Sequence, residues 1–555
     1  MPRPPKTTRA KHGTGEKGPE PATIGAILEY LSPGLHRTGC PLRPPDAFAL
    51  AAVLLQKSGA YSFVSEQWPP SPHWVKQMRK VGHGWRRSWA GKQALPAEVR
   101  EWWHIVVTHR TVELAALRRY PALCRALLQL CAAADEASAG IGLAPDKRQP
   151  RTRSRTARAD RRITDIIQQE AYDCLGPRDK TGATLCKSIH PSKVRVLPKL
   201  HTPQNGLTIR SLSRSLALCT AEEIRTEWIR AFGFLKNRAG DKRPDNSLNL
   251  LIVPWPEIVK PFQFQAAGPS SGAFGRFTYK PEHGIDAHPN IENILRRAVE
   301  LAGPIHGVVL PELSLTEEQF EKIVAPVLEQ GAFLIGGVVK ESPGGNCLRF
   351  CHPISPEHYI ERDQSKHHRW KLDKSQIIQY GLGSTLHPEK LWWEDIPLQD
   401  RSLMFVSIYH WLTMSMLICE DLARPDPVGD LVRAVGPNLV VALLMDGPQL
   451  ASRWPGRYAT VLADDPGCSV LSLTSLGMVE LSRPPYVQAR SRVVALWKDA
   501  KGGMPVEIEL PKDADAVILN LTVQYIEEYT ADGRSDQCTT GYPILAGVHP
   551  VLRSR

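Results

Sequence analysis

The chain contains a short apolar run that ends in a thiol. Met416, Leu417 and Ile418 are followed by Cys419 and then by two carboxylates. An apolar strand that delivers one thiol to a turn is how an α/β enzyme presents a nucleophile at the edge of its sheet. Most free cysteines are buried and inert, so the thiol alone does not distinguish a catalytic residue from a core residue.

Two further segments carry the groups that a nucleophilic thiol needs. The apolar residues Val308 to Leu310 are followed by Pro311 and Glu312, which resembles a buried strand ending in a carboxylate. Lys366, next to His367, lies between this carboxylate and the thiol in the chain. A thiol, a base that takes its proton and a cation that holds an oxyanion together make an acyl-transfer site.

These motifs resemble the Glu, Lys and Cys motifs of the nitrilase, or carbon–nitrogen hydrolase, superfamily, in the order found in that family. The resemblance implies that Glu312 is the general base, Lys366 the oxyanion-stabilising cation and Cys419 the nucleophile. It also implies that the backbone N–H of Glu420 is a second oxyanion donor. The expected reaction is amidase-like and passes through a thioester acyl-enzyme. Its substrate would be a small amide, nitrile or carbamoyl compound, and no cofactor or metal is expected.

The resemblance covers residues 246–525 and implies a fold for them. Apolar runs too short for helices alternate there with amphipathic helices, which indicates an α/β domain. Asn290 is a predicted helix N-cap, and Thr316 with Gln319 is a predicted capping box. The family's architecture sharpens this prediction to an αββα two-sheet sandwich of nitrilase type, preceded by a mostly α-helical basic N-terminal region. Members of the family usually dimerise, so a homo-oligomer is implied.

Several positions in this region remain open from the sequence. Lys371 and Lys374 follow Lys366 closely and are alternative triad lysines. Many family members use a second carboxylate after the lysine, and Glu389 or Glu394 could serve here. The stretch between Lys366 and the thiol is longer than is usual for the family, and such an insertion could cap the site.

A loop that follows a predicted strand supplies further candidates. Asp446 and Arg453 lie there and are predicted to bind substrate, although loop caps and ion pairs are equally common uses of such residues. The histidines of this region have no metal-ligand spacing, so no metal site is predicted.

Charge divides the chain into two unlike parts. The net charge is +12. Residues 1–245 carry 41 Lys and Arg against 21 Asp and Glu, whereas residues 246–555 carry 28 against 36. The basic part includes a stretch of tryptophans and cations from Trp74 to Trp89 and a cation-rich run from Lys147 to Arg162. Both features are typical of nucleic-acid contact, but core tryptophans and an ordinary solvated tether explain them equally well.

Changes in composition and apolar periodicity divide the sequence into six predicted segments. A helix is predicted over residues 221–232, in the fourth of them. The six segments are a disordered tail (1–20), a helical basic domain (21–145), a basic linker (146–162), a mixed and mostly helical segment (163–245), the nitrilase-like domain (246–525) and a C-terminal extension (526–555).

The 11 cysteines show no CxxC pair, and the sequence contains neither a signal peptide nor an apolar run of about 18 residues. A reduced, cytoplasmic protein without a membrane span is therefore expected. The alternative function is a nucleic-acid-associated protein whose nitrilase-like half is a non-catalytic scaffold or sensor. Similar domains fused to reverse transcriptases occur in antiphage defence, but this chain has no polymerase motif.

Overall fold

The structure is a computed structural model of the 555-residue chain. It describes residues 23–34, 39–68, 70–142, 155–175, 183–203, 206–220, 224–231, 246–268, 272–281, 287–340, 345–355, 358–398, 401–409, 411–483, 491–534 and 539–553. The predicted disordered tail and most of the predicted basic linker lie outside the described residues.

Helices dominate the first part of the chain and recur singly between strands in the second part. The α-helices are α1 (Ile24–Leu31), α2 (Pro44–Ser58), α3 (Phe63–Glu66), α4 (Pro72–Gly91), α5 (Ala97–Thr108), α6 (Pro121–Ala137), α7 (Arg155–Leu175), α8 (Ile209–Leu212), α9 (Ile291–Ala302), α10 (Glu317–Glu329), α11 (Lys374–Gln379), α12 (Asp430–Val435), α13 (Trp454–Asp464) and α14 (Leu476–Leu481).

The strands begin after α7. They are β1 (Val194–Pro198), β2 (Leu216–Thr220), β3 (Arg225–Arg230), β4 (Ser247–Ile252), β5 (Phe264–Ala267), β6 (Phe274–Tyr279), β7 (Gly307–Val309), β8 (Leu315–Thr316), β9 (Phe333–Lys340), β10 (Gly345–Ser355), β11 (His358–Ser365), β12 (Lys371–Leu372), β13 (Leu391–Glu394), β14 (Ser402–Tyr409), β15 (Leu412–Ile418), β16 (Leu439–Leu444), β17 (Ser469–Thr474), β18 (Val493–Lys498), β19 (Val506–Glu509), β20 (Ala514–Glu527) and β21 (Thr539–Leu552).

Two large sheets form the centre of the second part. One has the order β11-β10-β9-β7-β4-β20-β21, with β8 beside β9, and the other has the order β19-β18-β17-β16-β15-β14-β3. In the first sheet β4, β7 and β9 are parallel. In the second sheet β15, β16 and β17 are parallel. Parallel neighbours bring the ends of β7 and β15, where the predicted carboxylate and thiol lie, to the carboxyl edges of their sheets.

Alternation along β4 shows how the layers stack. Leu250 and Ile252 belong to the apolar core shared with the second sheet, whereas Leu251 packs with α9 and α10. Successive strand residues point to opposite faces, so one face of the first sheet meets the second sheet and the other meets helices. Helix α13 covers the outside of the second sheet at β17 and β18. The predicted α/β two-sheet sandwich is confirmed.

A smaller four-stranded sheet, β12-β13-β6-β5, lies beside the sandwich. Two of its strands come from the long stretch between Lys366 and Cys419. Its apolar residues form a separate cluster that includes Phe264, Trp370 and Leu313. Leu313 directly follows Glu312, so this sheet packs at the end of the strand that carries the predicted base.

The N-terminal helices pack around α2 and α6, both of which are largely buried. The tryptophans of α4 belong to this core: Trp74, Trp85 and Trp89 are buried, and the indole N–H of Trp85 donates to the carbonyl of Leu42 at 2.8 Å. These three rings are therefore not available to stack on nucleic-acid bases. Among the described residues no single helix is long and apolar enough to cross a bilayer, although Pro44–Ser58 and Ala60–Glu66 meet the length and composition requirement together, at 97° to each other.

The segment predicted as mostly helical over 163–245 is different in the structure. Helix α7 starts at Arg155, inside the predicted linker, and the segment then contributes β1, β2 and β3. Of the helix predicted over residues 221–232, the structure describes 224–231, and Arg225–Arg230 form strand β3, in which Thr226 and Trp228 are buried. Strand β3 pairs in parallel with β14. Pairing with a strand about 175 residues away overrides the local helical preference.

The predicted end of the sandwich domain at residue 525 is also different. Strand β20 runs through this boundary to Glu527 and pairs with β21 along its whole length. The predicted extension therefore supplies the edge strand of the first sheet. Both predicted helix N-termini are confirmed, because Asn290 accepts from the N–H of Asn293 and Thr316 forms a capping box with Gln319.

Candidate active site

Four chain segments meet at the carboxyl edge of the sandwich. Glu312 follows β7, Lys366 follows β11, Glu394 ends β13 and Cys419 follows β15. All four side chains are buried. The two sheets and the smaller sheet therefore each contribute a polar group to one interior position.

Lys366 is the centre of this group, with 1% of its surface exposed. Its ammonium donates to Glu312 Oε1 at 2.7 Å and to Glu394 Oε2 at 2.6 Å. An ammonium has three N–H donors, so a third remains for another acceptor. A buried charge is stable only when it is paired, and here one cation holds two carboxylates.

Asn346 completes the ring of contacts. Its side-chain amide donates to Glu312 Oε1 and to Glu394 Oε1, each at 2.7 Å. Glu394 Oε2 also accepts from the backbone N–H of Trp370 at 3.1 Å. The other oxygen of Glu312, Oε2, is buried without a hydrogen-bond partner among the described residues. One carboxylate oxygen of Glu312 is thus held by two hydrogen bonds, and the other is available to accept a proton.

Burial sets the proton affinities here. It raises the pKa of Glu312, Glu394 adds to that rise, and Lys366 opposes it. Burial alone would lower the pKa of Lys366, but Glu312 and Glu394 raise it well above its ordinary value. Lys366 is therefore a permanent cation, whereas Glu312 has a higher proton affinity than an exposed glutamate.

Cys419 has an unusual backbone conformation for a residue with a side chain. Its φ is +45°, in the left-handed region that favours glycine. It begins a short turn, Cys419–Ala423, whose N-terminus is not capped by any described side chain. Burial raises the pKa of the thiol well above its ordinary value, Glu312 adds to the rise, and Lys366 lowers it. The thiol therefore requires a base before it can react.

Asp421 joins the thiol turn to the lysine loop. Its carboxylate accepts from the backbone N–H of His367 at 3.2 Å and from His368 Nδ1 at 2.8 Å. Although burial opposes it, His367 holds the pKa of Asp421 well below its usual range, and His368 contributes. An anionic Asp421 thus fixes the position of the thiol relative to Lys366.

A glycine allows the Glu312 loop to lie close to its neighbouring strand. A Cβ at Gly337 would be 2.3 Å from the carbonyl oxygen of Pro311 and 2.5 Å from Cα of Glu312. Both neighbours are backbone atoms that cannot move aside, so only glycine fits at this position of β9.

The structure separates the alternatives that the sequence left open. Lys374 pairs with Glu389 at the surface, 2.6 Å apart, and Lys371 is exposed. Lys366 is thus the lysine beside Glu312, and Glu394 is the second carboxylate beside it. The predicted insertion carries Glu394 on β13, so this extra stretch completes the polar group.

Of the two predicted substrate-binding residues, Asp446 lies near Cys419, and Arg453 pairs with Asp446. Arg453 Nη2 donates to Asp446 Oδ1 at 2.9 Å. Asp446 is 6% exposed, and its Oδ2 has no hydrogen-bond partner among the described residues. The charge of Asp446 contributes to the raised pKa of both Cys419 and Tyr380, so all three groups are close together.

Apolar and aromatic side chains surround the polar group. Leu313, Trp370, Tyr380, Met445 and Met478 belong to the cluster under the small sheet. Within the described residues no group of His, Cys, Asp and Glu could hold a metal ion. The arrangement suits acyl transfer to a thiol, which needs a nucleophile, a base and a fixed cation.

Sequence reasoning missed two residues of this site. Asn346 lies near the start of β10, and no spacing relates it to the other motifs. Asp421 stands within the thiol motif, but its link to the lysine loop depends on a contact across 54 residues. Strand β10 also contains Arg349 and His352, so no signal in the sequence singled out Asn346.

No protein-family model matches this chain, and no curated protein matches it. Solved structures do. A carbon–nitrogen hydrolase superfamily protein from Xanthomonas campestris is 16% identical with a TM-score of 0.29, and the match covers 50% of this chain and 91% of that one. A mutant amidase of the nitrilase superfamily from Nesterenkonia AN1 is 14% identical with a TM-score of 0.31, covering 54% and 97%.

A Saccharomyces cerevisiae protein, a member of branch 10 of the nitrilase superfamily, is also similar. It is 11% identical with a TM-score of 0.28, and the match covers 50% of this chain and 90% of that one. The three proteins share one superfamily. Scores this low transfer neither an activity nor a site residue to this chain.

Proposed function

We propose that this chain is a carbon–nitrogen hydrolase of amidase type that acts through Glu312, Lys366 and Cys419. The observation that carries the proposal is the pairing of Lys366 with Glu312 at 2.7 Å, while the second oxygen of Glu312 is buried without a partner. A buried, unpaired carboxylate oxygen near a thiol is poorly explained by stability alone, because burying it is unfavourable. A role as general base explains it.

The first half of the reaction forms a thioester. Glu312 takes the thiol proton of Cys419, and the sulfur attacks the carbonyl carbon of the amide. The oxyanion that forms is stabilised by the third N–H of Lys366 and by the backbone N–H of Glu420. The carbon–nitrogen bond then breaks, and the amine or ammonia leaves with the proton that Glu312 held.

The second half releases the acid. Glu312, again a carboxylate, takes a proton from water, and the hydroxide attacks the thioester carbon. Collapse of this intermediate breaks the carbon–sulfur bond and returns the proton to the sulfur of Cys419. Glu394 and Asn346 act through Lys366 and Glu312, which they hold in position, so they are positioning residues.

A trapped acyl-enzyme tests the proposal. We expect ammonia release from a panel of primary amides, nitriles and N-carbamoyl compounds. Acid quenching of a reacting sample should give a mass increase equal to the acyl group, on the peptide that contains Cys419. A mass increase on another cysteine, with turnover intact, would contradict this assignment. A protein that forms no adduct with any compound of the panel would favour the non-catalytic scaffold.

Asp446 is expected to select substrates that carry an N–H donor beyond the scissile bond. Asp446 Oδ2 is buried without a hydrogen-bond partner among the described residues, so a substrate ammonium or amide N–H that reaches it would satisfy a buried acceptor. Asp446→Asn should therefore raise KM about 10- to 100-fold for such substrates. The measurement is KM and kcat for matched substrate pairs with and without the donor. Equal changes for both members of a pair would show that Asp446 only supports the fold.

A further inference from the structure

Helix α4 presents a continuous basic face to solvent. Its exposed basic positions are spaced by three or four residues, which places them on one side of a helix. They are His73, Lys76, Lys80, His83 and Arg87. At 1.5 Å of rise per residue they span roughly 21 Å.

Acidic residues do not interrupt this face. The 20 residues of α4 include no Asp or Glu. Neither Lys76 nor Lys80 forms an ion pair within the part of the chain that the structure describes. These two lysines repel each other, and an anion bound beside both would relieve that repulsion.

Helix α7 lies beside α4 and adds two exposed cations near their contact. It packs against α4, and Arg86 Nη2 donates to Thr164 Oγ1 at 3.5 Å. One turn before this contact Arg161 and Arg162 are exposed. The basic face is therefore defined by five cations on two adjoining helices, namely Lys76, Lys80, Arg87, Arg161 and Arg162.

The opposite side of α4 limits what the basic face can bind. Trp74, Trp85 and Trp89 are buried in the helical core, and no large apolar residue of α4 is exposed. A helix that inserts into a lipid surface needs an exposed apolar face, which α4 lacks. Recognition of bases would need exposed aromatic rings, or side chains that contact base edges in a groove of the duplex. The exposed side of α4 therefore offers a row of positive charges as its binding feature.

We propose that the basic face binds the phosphate backbone of nucleic acid without sequence preference. A duplex carries one negative charge per about 1.7 Å of its axis, so the row from Lys76 to Arg87, roughly 17 Å long, faces a dense line of phosphates. Release of the condensed counterions drives such binding and makes it depend steeply on salt. The surface lies on the N-terminal helices, apart from the residues of the candidate active site.

Charge removal in the full-length chain tests this proposal. The variant carries Lys76→Gln, Lys80→Gln and Arg87→Gln. The matched control carries Arg296→Gln, Lys322→Gln and Lys371→Gln, three exposed cations outside the N-terminal helices with the same loss of charge. Fluorescence anisotropy would follow binding to a labelled DNA duplex of about 30 base pairs, between about 50 and 200 mM salt.

We expect the basic-face variant to bind at least about tenfold more weakly at the lower salt concentration, with the slope of log K against log salt reduced by about 2.7. The control should bind as the unmodified chain does, and scrambling the duplex sequence should change nothing. Equal weakening of variant and control would overturn the proposal, as would an unmodified chain that binds no duplex. Binding to anionic lipid vesicles in place of DNA would overturn it too. Circular dichroism establishes that both variants are folded.

Discussion

Replacing Cys419 with alanine is expected to lower the rate of ammonia release at least about 10⁴-fold, because removal of a nucleophile removes the covalent route entirely. The residual rate would come from Lys366 and bound substrate alone. The side chain is small and 3% exposed, so its loss changes packing little. The measurement is kcat for the best substrate of the panel, together with the thermal midpoint of the variant.

Cys468→Ala is the matched control for this prediction. Cys468 is also a buried cysteine of the second sheet, and burial raises the pKa of its thiol as well. We expect its activity to stay within about twofold of the unmodified chain, since surplus cysteines act only as small apolar residues. Full activity in Cys419→Ala would refute the assigned nucleophile, and an equal loss in Cys468→Ala would point to a general effect of packing.

Arg534→Met is expected to lower the free energy of unfolding by about 3–5 kcal/mol. Arg534 lies after β20, is 1% exposed and pairs with Asp135 at 3.1 Å and Glu136 at 3.0 Å on α6. Asp532 is a third partner. Removing the cation would leave these carboxylates buried without their counter-charge, and methionine fills the space without replacing the donors. Urea denaturation followed by tryptophan fluorescence measures the change.

Arg118→Met provides the comparison. Arg118 also pairs with a carboxylate of the helical region, Glu66, but both side chains are about half exposed. A solvent-exposed pair contributes less than about 1 kcal/mol, so this variant should be nearly as stable as the unmodified chain. If both variants lost the same free energy of unfolding, the ion pairs of Arg534 with α6 would not be a special source of stability.

The core of the candidate site could be predicted because strand ends are visible in a sequence. Val308 to Leu310 and Met416 to Ile418 are apolar runs, and each stops at a residue that could do chemistry. The alternation of strands and helices predicted an α/β domain, in which each of these ends lies at the carboxyl edge of a sheet. The two-sheet sandwich, which relates Glu312 on one sheet to Cys419 on the other, came from the resemblance to the nitrilase superfamily.

The second carboxylate could not be chosen from the sequence. Glu389 and Glu394 are five residues apart, and both follow the lysine at a plausible distance. Only the pairing of β13 with β6, a strand more than 100 residues earlier, directs Glu394 into the interior. Contacts of this range leave no trace in local periodicity. Asn346 was missed for the same reason.

The N-terminal part was the least predictable. The residues around Trp228 have a composition that suits a helix, and the partner that makes them a strand is β14. The tryptophans of α4 had two explanations, and only their burial decides between them. The sequence predicted a helical domain over residues 21–145, but it could not tell which side of the segment from Trp74 to Trp89 meets another helix.

The position of β3 has a consequence for attempts to divide the protein. Strand β3 is an edge strand of the second sheet, where it pairs with β14, although it precedes residues 246–525 in the chain. A truncated protein that starts at residue 246 would lack β3, so the backbone groups on one side of β14 would lose their hydrogen-bond partners. An apolar edge strand of this kind can pair with another molecule and cause aggregation. The two-sheet sandwich and the residues before it are therefore best produced together.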